Sequence, residues 1–398
     1  MKILIVHEVN YLSKIIYEFQ ILPEILSILG HEITVVDYND SWKSEAGERL
    51  LALNTTVHRD VHRAYPKAKI TVRRPGMIRL PLISRISGAA AATLEIVRVL
   101  KKEKPDVLLL YGLPTIGLQA MMAARRFKVP IVFRGIDVSH QLVPNRLLVP
   151  FTKLLERMVF NGVDLNIALT PHLKKYISAY GVPDERIRLL PSGVDADLFS
   201  PGPRDHALLE RWGIDPGDPV ILFMGTIYRF SGLDRVIMDF PTVLKTHPKA
   251  KLLILGAGED EKRLRHLAQE KQLASHVVFT GMQPYSDLTA YIRSSDVCIN
   301  PFELNGITKD ILPTKLFQYM TCEKPVLATE LPGTLTFLPG EEQGLVYTTL
   351  GSFNTSLAKL LSEPERCKEL GLRAKRAAKA YEWRQIAETL AGWLAEVA

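Results

Sequence analysis

Short apolar runs that alternate with helical patterns constrain the fold of this chain more than any other feature of its sequence. Buried strands are indicated by runs such as KILIV, DVLLLYG and VPIVFRG, and helices by the periodic segments between them. The alternation begins again at PVILFMG, after the proline- and glycine-rich stretch at residues 199–206. The sequence therefore predicts an α/β fold with two Rossmann-like domains, each built on a mostly parallel sheet.

This restart sets the expected domain boundaries. We expect an N-terminal domain over residues 1–200 and a C-terminal domain over residues 203–380, which suits a chain of 398 residues. Within the first domain, helices are expected over residues 13–30 and 88–104. Residues 41–80 are basic and lack a clear period, so we expect them to be irregular. Parallel sheets bind ligands at the carboxyl ends of their strands, and a cleft between the two domains is the expected site.

Several classes of protein are disfavoured by what the sequence lacks. The three cysteines are scattered and form no CxxC pair, which argues against a disulfide framework or a zinc site and favours a reducing, cytoplasmic compartment. The first apolar run is too short for a signal peptide, and no window holds the roughly 18 uncharged apolar residues of a membrane span. The first strand runs into HEVNYLSK rather than a GxGxxG turn, which disfavours a dinucleotide-dependent dehydrogenase.

Positive charge is concentrated in one part of the chain. Residues 51–150 carry 17 Lys and Arg against 5 Asp and Glu, whereas the net charge of the whole chain is +7. Such an excess is compatible with a plain solvated face, and also with a surface that meets anionic lipid or an anionic substrate. Nucleic acid is not an expected partner, because aromatic residues do not interleave with the basic ones and no recognition motif is present.

Two segments of this basic region mix basic with bulky apolar side chains. They are RRPGMIRLPLISRIS at residues 73–87 and PNRLLVPFTKLLERMVFN at residues 144–161. As a helix, the second segment could lie on an anionic membrane surface, or its apolar face could pack in the core. We expect a cytoplasmic protein that is peripheral to the inner face of a membrane, with residues 51–160 as the contact region.

The stretch DILPTKLFQYMTCEKPVLAT at residues 310–329 places a proline at the expected start of a helix. Pro313 suits the first helical turn, because the N–H that proline lacks would have no partner there. Thr314, Lys315 and Leu316 would then present free amides at the positive end of the helix dipole. Such an end can bind a phosphate without a metal ion.

Two polar side chains bracket this helix start. Asp310, just upstream, would face the same mouth, and Gln318, on the helix, could hydrogen-bond hydroxyl groups through both atoms of its amide. The alternative is an ordinary capped helix with exposed Lys315 and Gln318. Likewise, the two glycines of GAGED at residues 256–260 could form a plain tight turn. Spacing alone does not decide between these interpretations.

Motifs across most of the chain resemble those of the family 4 retaining glycosyltransferases, which have the two-domain GT-B fold. The family's lPnGvD…F.P signature looks like IRLLPSGVDADLFSP at residues 187–201, and its glycine turn is similar to ILFMGTIYRFSGLD at residues 221–234. The family's order continues through residues 252–264, 277–301 and 310–333. The resemblance is specific across residues 187–333 and looser before residue 130.

This resemblance implies roles for the residues of the helix start. Asp310 takes the place of the first of the family's two glutamates and would approach the donor sugar. Gln318 takes the place of the second and would hold the nucleotide ribose. Pro313, Thr314 and Lys315 would receive the diphosphate. The glycines Gly225, Gly256 and Gly258 would lie in the turns that face the diphosphate and the base.

Departures from the family pattern concern charge. Thr226 stands where the family usually has an arginine, and Ser231, before Gly232, stands where it usually has a lysine. Both positions are still assigned to the donor site by the resemblance. Arg229 and Lys315 are the nearby cations that could neutralise the leaving diphosphate instead. Gln318 also lacks the usual charge, and the first-domain glycine-rich loop is absent.

The implied reaction is transfer of a sugar from a nucleotide sugar, with a UDP-sugar favoured, to a lipid-linked or cell-envelope glycan acceptor. The family retains the anomeric configuration, and we expect neither a metal nor another cofactor. In the first domain, Asp137 and His140 are candidates for groups that face the cleft, although Asp137 could instead cap a helix and His140 could lie on the surface. Related enzymes also pack a C-terminal helix back on the first domain, as expected here for residues 381–398. Because of the departures in charge, a catalytically silent sugar-nucleotide-binding or scaffold protein is the alternative.

Overall fold

The computed structural model of the protein describes residues 1–13, 16–38, 51–52, 54–80, 83–143 and 146–398. It divides into two compact units. Unit 1 comprises Met1–Ser192 and Trp383–Ala398, and unit 2 comprises Gly193–Glu382. Three expected segments, the helices over residues 13–30 and 144–161 and the irregular region 41–80, lie partly outside the described residues.

The secondary structure alternates between strands and helices along both units. The strands are β1 (Lys2–Val6), β2 (Glu32–Val36), β3 (Leu51–Ala52), β4 (Thr56–Val61), β5 (Ile70–Arg74), β6 (Met77–Ile78), β7 (Val107–Leu110), β8 (Ile131–Gly135), β9 (Leu165–Ala168), β10 (Ile187–Leu189), β11 (Val220–Met224), β12 (Lys251–Leu255), β13 (Val277–Gly281), β14 (Val297–Asn300), β15 (Val326–Thr329) and β16 (Leu345–Thr348). The helices are α1 (Glu18–Ile28), α2 (Ile83–Lys102), α3 (Gly117–Arg126), α4 (Val149–Gly162), α5 (Pro171–Ser178), α6 (His206–Arg211), α7 (Leu233–Met238), α8 (Pro241–Leu244), α9 (Glu261–Glu270), α10 (Leu288–Arg293), α11 (Thr314–Thr321), α12 (Pro332–Leu335), α13 (Phe353–Leu361), α14 (Pro364–Ala378) and α15 (Trp383–Val397).

Unit 1 is built on a sheet with the strand order β10-β9-β8-β7-β1-β2-β5-β4. Neighbouring strands are parallel, except that β4 and β5 are antiparallel. Strand β1 lies inside this sheet and is buried on both faces: Leu4 and Val6 join one core, and Ile3 and Ile5 join the other. A strand that is buried on both faces has a continuous run of apolar residues, and the sequence therefore indicates it clearly.

The prediction that residues 41–80 are irregular is wrong for the described part of that region. Strands β4 and β5 lie there and pair at the edge of the sheet. Ile70 and Val72 of β5 are buried, whereas β4 is largely exposed along its length. An edge strand that faces solvent needs few apolar side chains, and its charged residues conceal the period of two. The helices on either side of this region also begin at other residues than predicted. Helix α1 begins at Glu18 rather than at residue 13, and α2 begins at Ile83 rather than at residue 88.

Unit 2 contains a sheet with the strand order β13-β12-β11-β14-β15-β16, and all adjoining pairs in it are parallel. The proline- and glycine-rich stretch at residues 199–206 lies within this unit. Phe199 is fully buried, and Arg293 Nε donates a hydrogen bond to the Ser200 carbonyl oxygen at 2.8 Å.

The mostly parallel sheets of unit 1 and unit 2 confirm the predicted α/β fold with two Rossmann-like domains.

Helix α15 packs in unit 1, although it follows unit 2 in the chain. Ile386, Leu390 and Leu394 are buried in a core of unit 1, and α15 contacts α1. Arg188 of β10 forms an ion pair with Glu396 near the end of α15. Among the described residues, none of the helices combines the length and the apolar character that a bilayer-crossing segment needs.

Candidate active site

The predicted site in unit 2 centres on the start of α11. Pro313 is the N-cap residue, with φ −68° and ψ 118°, so it precedes the first helical turn rather than lying in it. The Leu316 amide donates to the Pro313 carbonyl oxygen at 3.1 Å and is therefore not free, contrary to the prediction. In the described part of the chain, the amides of Thr314 and Lys315 have no acceptor, and no side chain caps the helix. Two free amides remain at the positive end of the helix dipole.

The Lys315 amine points into unit 2 rather than into solvent. Its Nζ lies 4.0 Å from the ring centroid of Phe223 and 4.5 Å from that of Phe302. The Nζ atom is buried and finds no hydrogen-bond acceptor within the described residues. Burial lowers the pKa of Lys315 to about 7. The structure therefore does not contain the exposed lysine of an ordinary capped helix.

The turns that follow β11 and β12 require glycine. Gly225 and Gly256 have φ angles of 131° and 135°, which other residues adopt only with strain. A Cβ on Gly256 would lie 2.0 Å from the Gly225 carbonyl oxygen, and one on Gly258 would lie 2.2 Å from that of Ile227. A Cβ on Gly225 would lie 3.1 Å from Lys315 Nζ. The two turns therefore meet each other, the first of them also meets the Lys315 side chain, and the GAGED sequence is more than an isolated tight turn.

The loop after Gly225 carries the positions that depart from the family pattern. Thr226 and Arg229 are exposed. Ser231 is buried, and its hydroxyl donates to the Tyr228 carbonyl oxygen at 2.6 Å. Arg229 is therefore accessible to an anion, whereas Ser231 is engaged within the loop.

Asp310 and Gln318 flank the start of α11. Asp310 ends the short 3-10 helix Thr308–Asp310, and its carboxylate, 25% exposed, lies 3.8 Å from Lys309 Nζ. Gly333 allows close approach of α12 to this turn, because a Cβ there would lie 2.6 Å from the Asp310 carbonyl carbon. The Gln318 side chain contacts the hydroxyl of Tyr285, whose pKa is raised to about 12 mainly by burial. Gln318 is half-buried, so its amide is not simply a solvated surface group.

Unit 1 contains a cavity of about 290 Å³ at the carboxyl ends of β1, β7 and β8. The strand order reverses between β1 and β7, which is where parallel sheets bind ligands. Asp137 lines this cavity, and burial raises its pKa. Asp137 is not a helix cap, because the N-cap of the following 3-10 helix Ser139–Leu142 is Val138 and no side chain caps that helix. Glu8 also lines the cavity and accepts hydrogen bonds from the amides of Thr115 and Ile116 at 2.7 and 2.9 Å.

His140 lies beside a buried carboxylate. Its Nδ1 is 3.1 Å from Glu156 Oε2, and its backbone amide donates to Glu156 Oε1 at 3.0 Å. The Tyr176 hydroxyl lies 2.9 Å from the same Nδ1. The His140 side chain is only 14% exposed, so the surface-histidine interpretation is wrong. These contacts hold the ring with Nδ1 toward Glu156, which is how a carboxylate orients an imidazole.

The predicted residues thus divide between the two units. Gly225, Gly256 and Lys315 come together in unit 2, whereas in unit 1 Asp137 lines the cavity and His140 does not. Sequence reasoning missed Glu8, Glu156 and Tyr176. Glu156 could have been found from helical phase, because it lies on the buried stripe of α4 with Thr152 and Val159. Among the described residues, no cluster of three or more His, Cys, Asp and Glu side chains is arranged to hold a metal ion.

Two family models match consecutive parts of the chain. Residues 24–198 match Glycosyltransferase Family 4, and residues 206–377 match Glycosyl transferases group 1. Together these matches leave only the two ends and a short joining segment of the chain uncovered.

Relatives and a solved structure agree with these models. A GDP-mannose-dependent alpha-(1-6)-phosphatidylinositol monomannoside mannosyltransferase of Mycolicibacterium smegmatis is 29% identical over 62% of this chain and 66% of its own length. The alpha-monoglucosyldiacylglycerol synthase of Streptococcus pneumoniae is 25% identical over 59% of this chain and 62% of its own length. In both cases the match spans less than two thirds of the relative. The fold is shared with Anabaena Alr3699/HepE in complex with UDP, at a TM-score of 0.71, 15% identity and 100% coverage of both chains. The chain therefore belongs to the GT-B glycosyltransferases in which a family 4 domain precedes a group 1 domain.

Proposed function

We propose that this protein transfers a sugar from a nucleoside-diphosphate sugar to a lipid-linked or cell-envelope glycan acceptor, with retention of configuration. The observation that carries the proposal is the start of α11, where two amides are free among the described residues and the Lys315 side chain reaches the glycine turn at Gly225. Amides at a helix start bind a diphosphate well. A UDP-sugar is our proposed donor, and GDP-mannose, which the name of the M. smegmatis relative contains, is the competing one.

Cleavage of the donor separates charge, and the proposed site would stabilise that charge on the leaving group. The bond from the anomeric carbon to the diphosphate oxygen breaks while the acceptor oxygen bonds to the same face of that carbon. The acceptor proton passes to the leaving phosphate. The α11 amides, Lys315 and the exposed Arg229 would stabilise the diphosphate, with Asp310 near the sugar and Gln318 near the ribose. With these groups in place, we propose that the reaction needs neither a metal nor another cofactor.

The unit 1 cavity is our proposed acceptor site. Phe19 and Tyr111 offer aromatic faces for a sugar ring, and Asp137 offers a carboxyl group for its hydroxyls. His140 follows Ser139, which lines the cavity, and with its Nδ1 held by Glu156 it would have Nε2 to bind or align a hydroxyl group of the acceptor. The names of both relatives contain glycolipids, which supports a lipid-linked acceptor.

A panel of UDP-, GDP- and ADP-sugars tests the donor assignment. A donor at 100 times its Kd should stabilise the protein by roughly 2.7 kcal/mol in a thermal-shift assay. Slow release of free nucleoside diphosphate, measured with EDTA present, is the expected sign of an enzyme that needs no metal. Tight binding without any turnover would instead favour the silent sugar-nucleotide-binding protein, and no shift with any donor would refute the proposed function.

Helix α4 supports a peripheral membrane location. Phe151, Leu154 and Met158 recur at helical spacing and are 58%, 53% and 43% exposed. Core packing accounts for the opposite side of the helix but not for these three side chains. Lys153 and Arg157 are exposed on the same helix, so the apolar face carries positive charge beside it. An anionic lipid surface satisfies both features, and we propose it as the partner of this face.

The double variant Phe151→Glu/Leu154→Glu is expected to partition to phosphatidylglycerol vesicles at least about tenfold less than the unaltered protein. Two apolar side chains that would enter the lipid surface are replaced by carboxylates, which the anionic lipids repel. Vesicle sedimentation at low salt measures this. The control is Ile28→Glu/Leu372→Glu, which alters side chains that are 40% and 46% exposed on other helices. Equal recovery of the unaltered protein with anionic and neutral vesicles would remove the membrane proposal and leave the donor site untouched.

A further inference from the structure

Lys315 occupies an environment in which an ammonium ion is poorly stabilised. The rings of Phe223 and Phe302 lie on it at 4.0 and 4.5 Å, and its Nζ is buried without an acceptor among the described residues. A cation–π contact recovers only part of the hydration that an ammonium loses on burial. The neutral amine loses much less hydration than the ammonium. The protonation state of Lys315 therefore depends on whether an anion enters the site.

Among the described residues, the surroundings of the Lys315 amine offer no counter-charge. Strand β11 presents Phe223, the segment after β14 presents Phe302, and the turn after β11 presents Gly225. None of these groups is ionisable. Burial is the sole cause of the lowered pKa, which means that no carboxylate or cation of the described residues acts on it appreciably. A ligand that brings negative charge to this turn would be the first anion near Nζ.

The donor provides such an anion. Nζ lies against Gly225, and Lys315 itself stands at the start of α11, where its amide and that of Thr314 are free among the described residues. Thr226 and Ser231, in the loop that follows Gly225, carry no charge. Lys315 is therefore the cation best placed to meet a diphosphate held by these amides.

We propose that Lys315, one of the two cations assigned to the donor diphosphate, takes up one proton from solvent when the diphosphate binds. The inference rests on the proposed function. The neutral amine and a solvent proton become an ammonium that pairs with the diphosphate, and no other bond changes. Above pH 7 the ligand-free protein keeps the amine largely neutral between the rings, and the bound diphosphate stabilises its charged form.

Proton uptake can be measured directly by isothermal titration calorimetry. UDP-glucose and GDP-mannose are suitable probes, because the diphosphate of a nucleotide sugar keeps its two charges between pH 6 and 9. At pH 8, the heats measured in HEPES and in Tris should differ by the buffer-ionisation heat for an uptake of about 0.9 proton, as expected for a free group with a pKa of about 7. At pH 6, measured in MES and in Bis-Tris, the uptake should fall to about 0.1 proton. Binding of the donor raises the pKa of Lys315, so the donor binds together with a proton. The affinity for the donor should therefore weaken above pH 7, by up to about tenfold per pH unit.

Two variants of Lys315 distinguish the effect of its charge on donor binding from the effect of its shape. Lys315→Arg is always protonated and should bind the donor with no proton uptake and with little pH dependence. Lys315→Met has an unbranched side chain one atom shorter and without charge, and it should bind the donor at least tenfold more weakly at pH 6, again without uptake. A melting curve verifies that both variants are folded.

Three results would count against the proposal in different ways. Donor binding to the unaltered protein without proton uptake at pH 8 overturns the inference and leaves the proposed function standing. Uptake that persists in Lys315→Met assigns the proton to another group and also overturns it. Failure of the unaltered protein to bind any nucleotide sugar overturns the proposed function and the inference together.

Discussion

Replacing Glu18 with alanine is expected to destabilise the protein by about 3–5 kcal/mol, because it leaves a buried guanidinium without its counter-charge. Glu18 Oε1 lies 2.6 Å from Arg134 Nε, Oε2 lies 3.0 Å from Nη2, and both side chains are fully buried. Arg134 Nη1 also donates to the Leu190 carbonyl oxygen at 2.7 Å, which ties β8 to the segment after β10. In a unit of this size, the loss should lower Tm by roughly 10 °C, measured by calorimetry or circular dichroism.

The double variant Glu18→Leu/Arg134→Met distinguishes an unpaired charge from a packing defect. Removing both charges together should recover most of the lost stability, because an apolar pair of similar volume can replace a buried ion pair at little cost. The exposed pair between Arg384 and Glu388 on α15 is the matched control, and Glu388→Ala should change stability by less than about 0.5 kcal/mol. A loss of under 1 kcal/mol for Glu18→Ala would contradict the assignment of this pair as a main determinant of unit 1 stability.

The sequence predicted well those elements whose burial is uniform. Strands β1 and β11 lie inside their sheets and are apolar on both faces, so KILIV and VILFM indicate them without knowledge of any neighbour. Strand β4 could not be found in this way. It lies at the edge of the unit 1 sheet, and its sequence TVHRDV reflects solvent contact rather than strand period.

The same distinction separates the parts of the candidate site. The free amides at the start of α11 could be predicted from neighbouring residues in the sequence. A proline and the two residues after it suffice to predict amides that lack an intrahelical acceptor. The position of the Lys315 amine is not local, since it depends on Phe223 and Phe302, which belong to other strands and loops. His140 and Glu156 meet for the same reason, through packing of α4 against a neighbouring 3-10 helix. Helical phase could have suggested that Glu156 is buried, but not what it contacts.

Conversion of Asp310 to asparagine is expected to lower kcat by about 100-fold or more, with the donor Kd nearly unchanged. The proposed role places this carboxylate beside the donor sugar, where positive charge develops at the anomeric carbon as the diphosphate leaves. Asparagine has the same shape and lacks the charge. The backbone of the turn should stay in place, because Gly333 of α12 packs directly against the Asp310 carbonyl group.

Stability should separate this effect from a folding defect. The Asp310 carboxylate is 25% exposed, and asparagine keeps its shape and one acceptor oxygen, so Asp310→Asn should change the free energy of unfolding by less than about 1 kcal/mol. Glu270→Gln, at the exposed end of α9, makes the same chemical change away from the proposed donor residues and should leave kcat unaltered. Initial rates, donor titrations and melting curves of the three proteins provide the comparison. If Asp310→Asn keeps more than a third of the kcat, the carboxylate does not act on the developing charge, and the helix amides with Lys315 and Arg229 must carry the stabilisation alone.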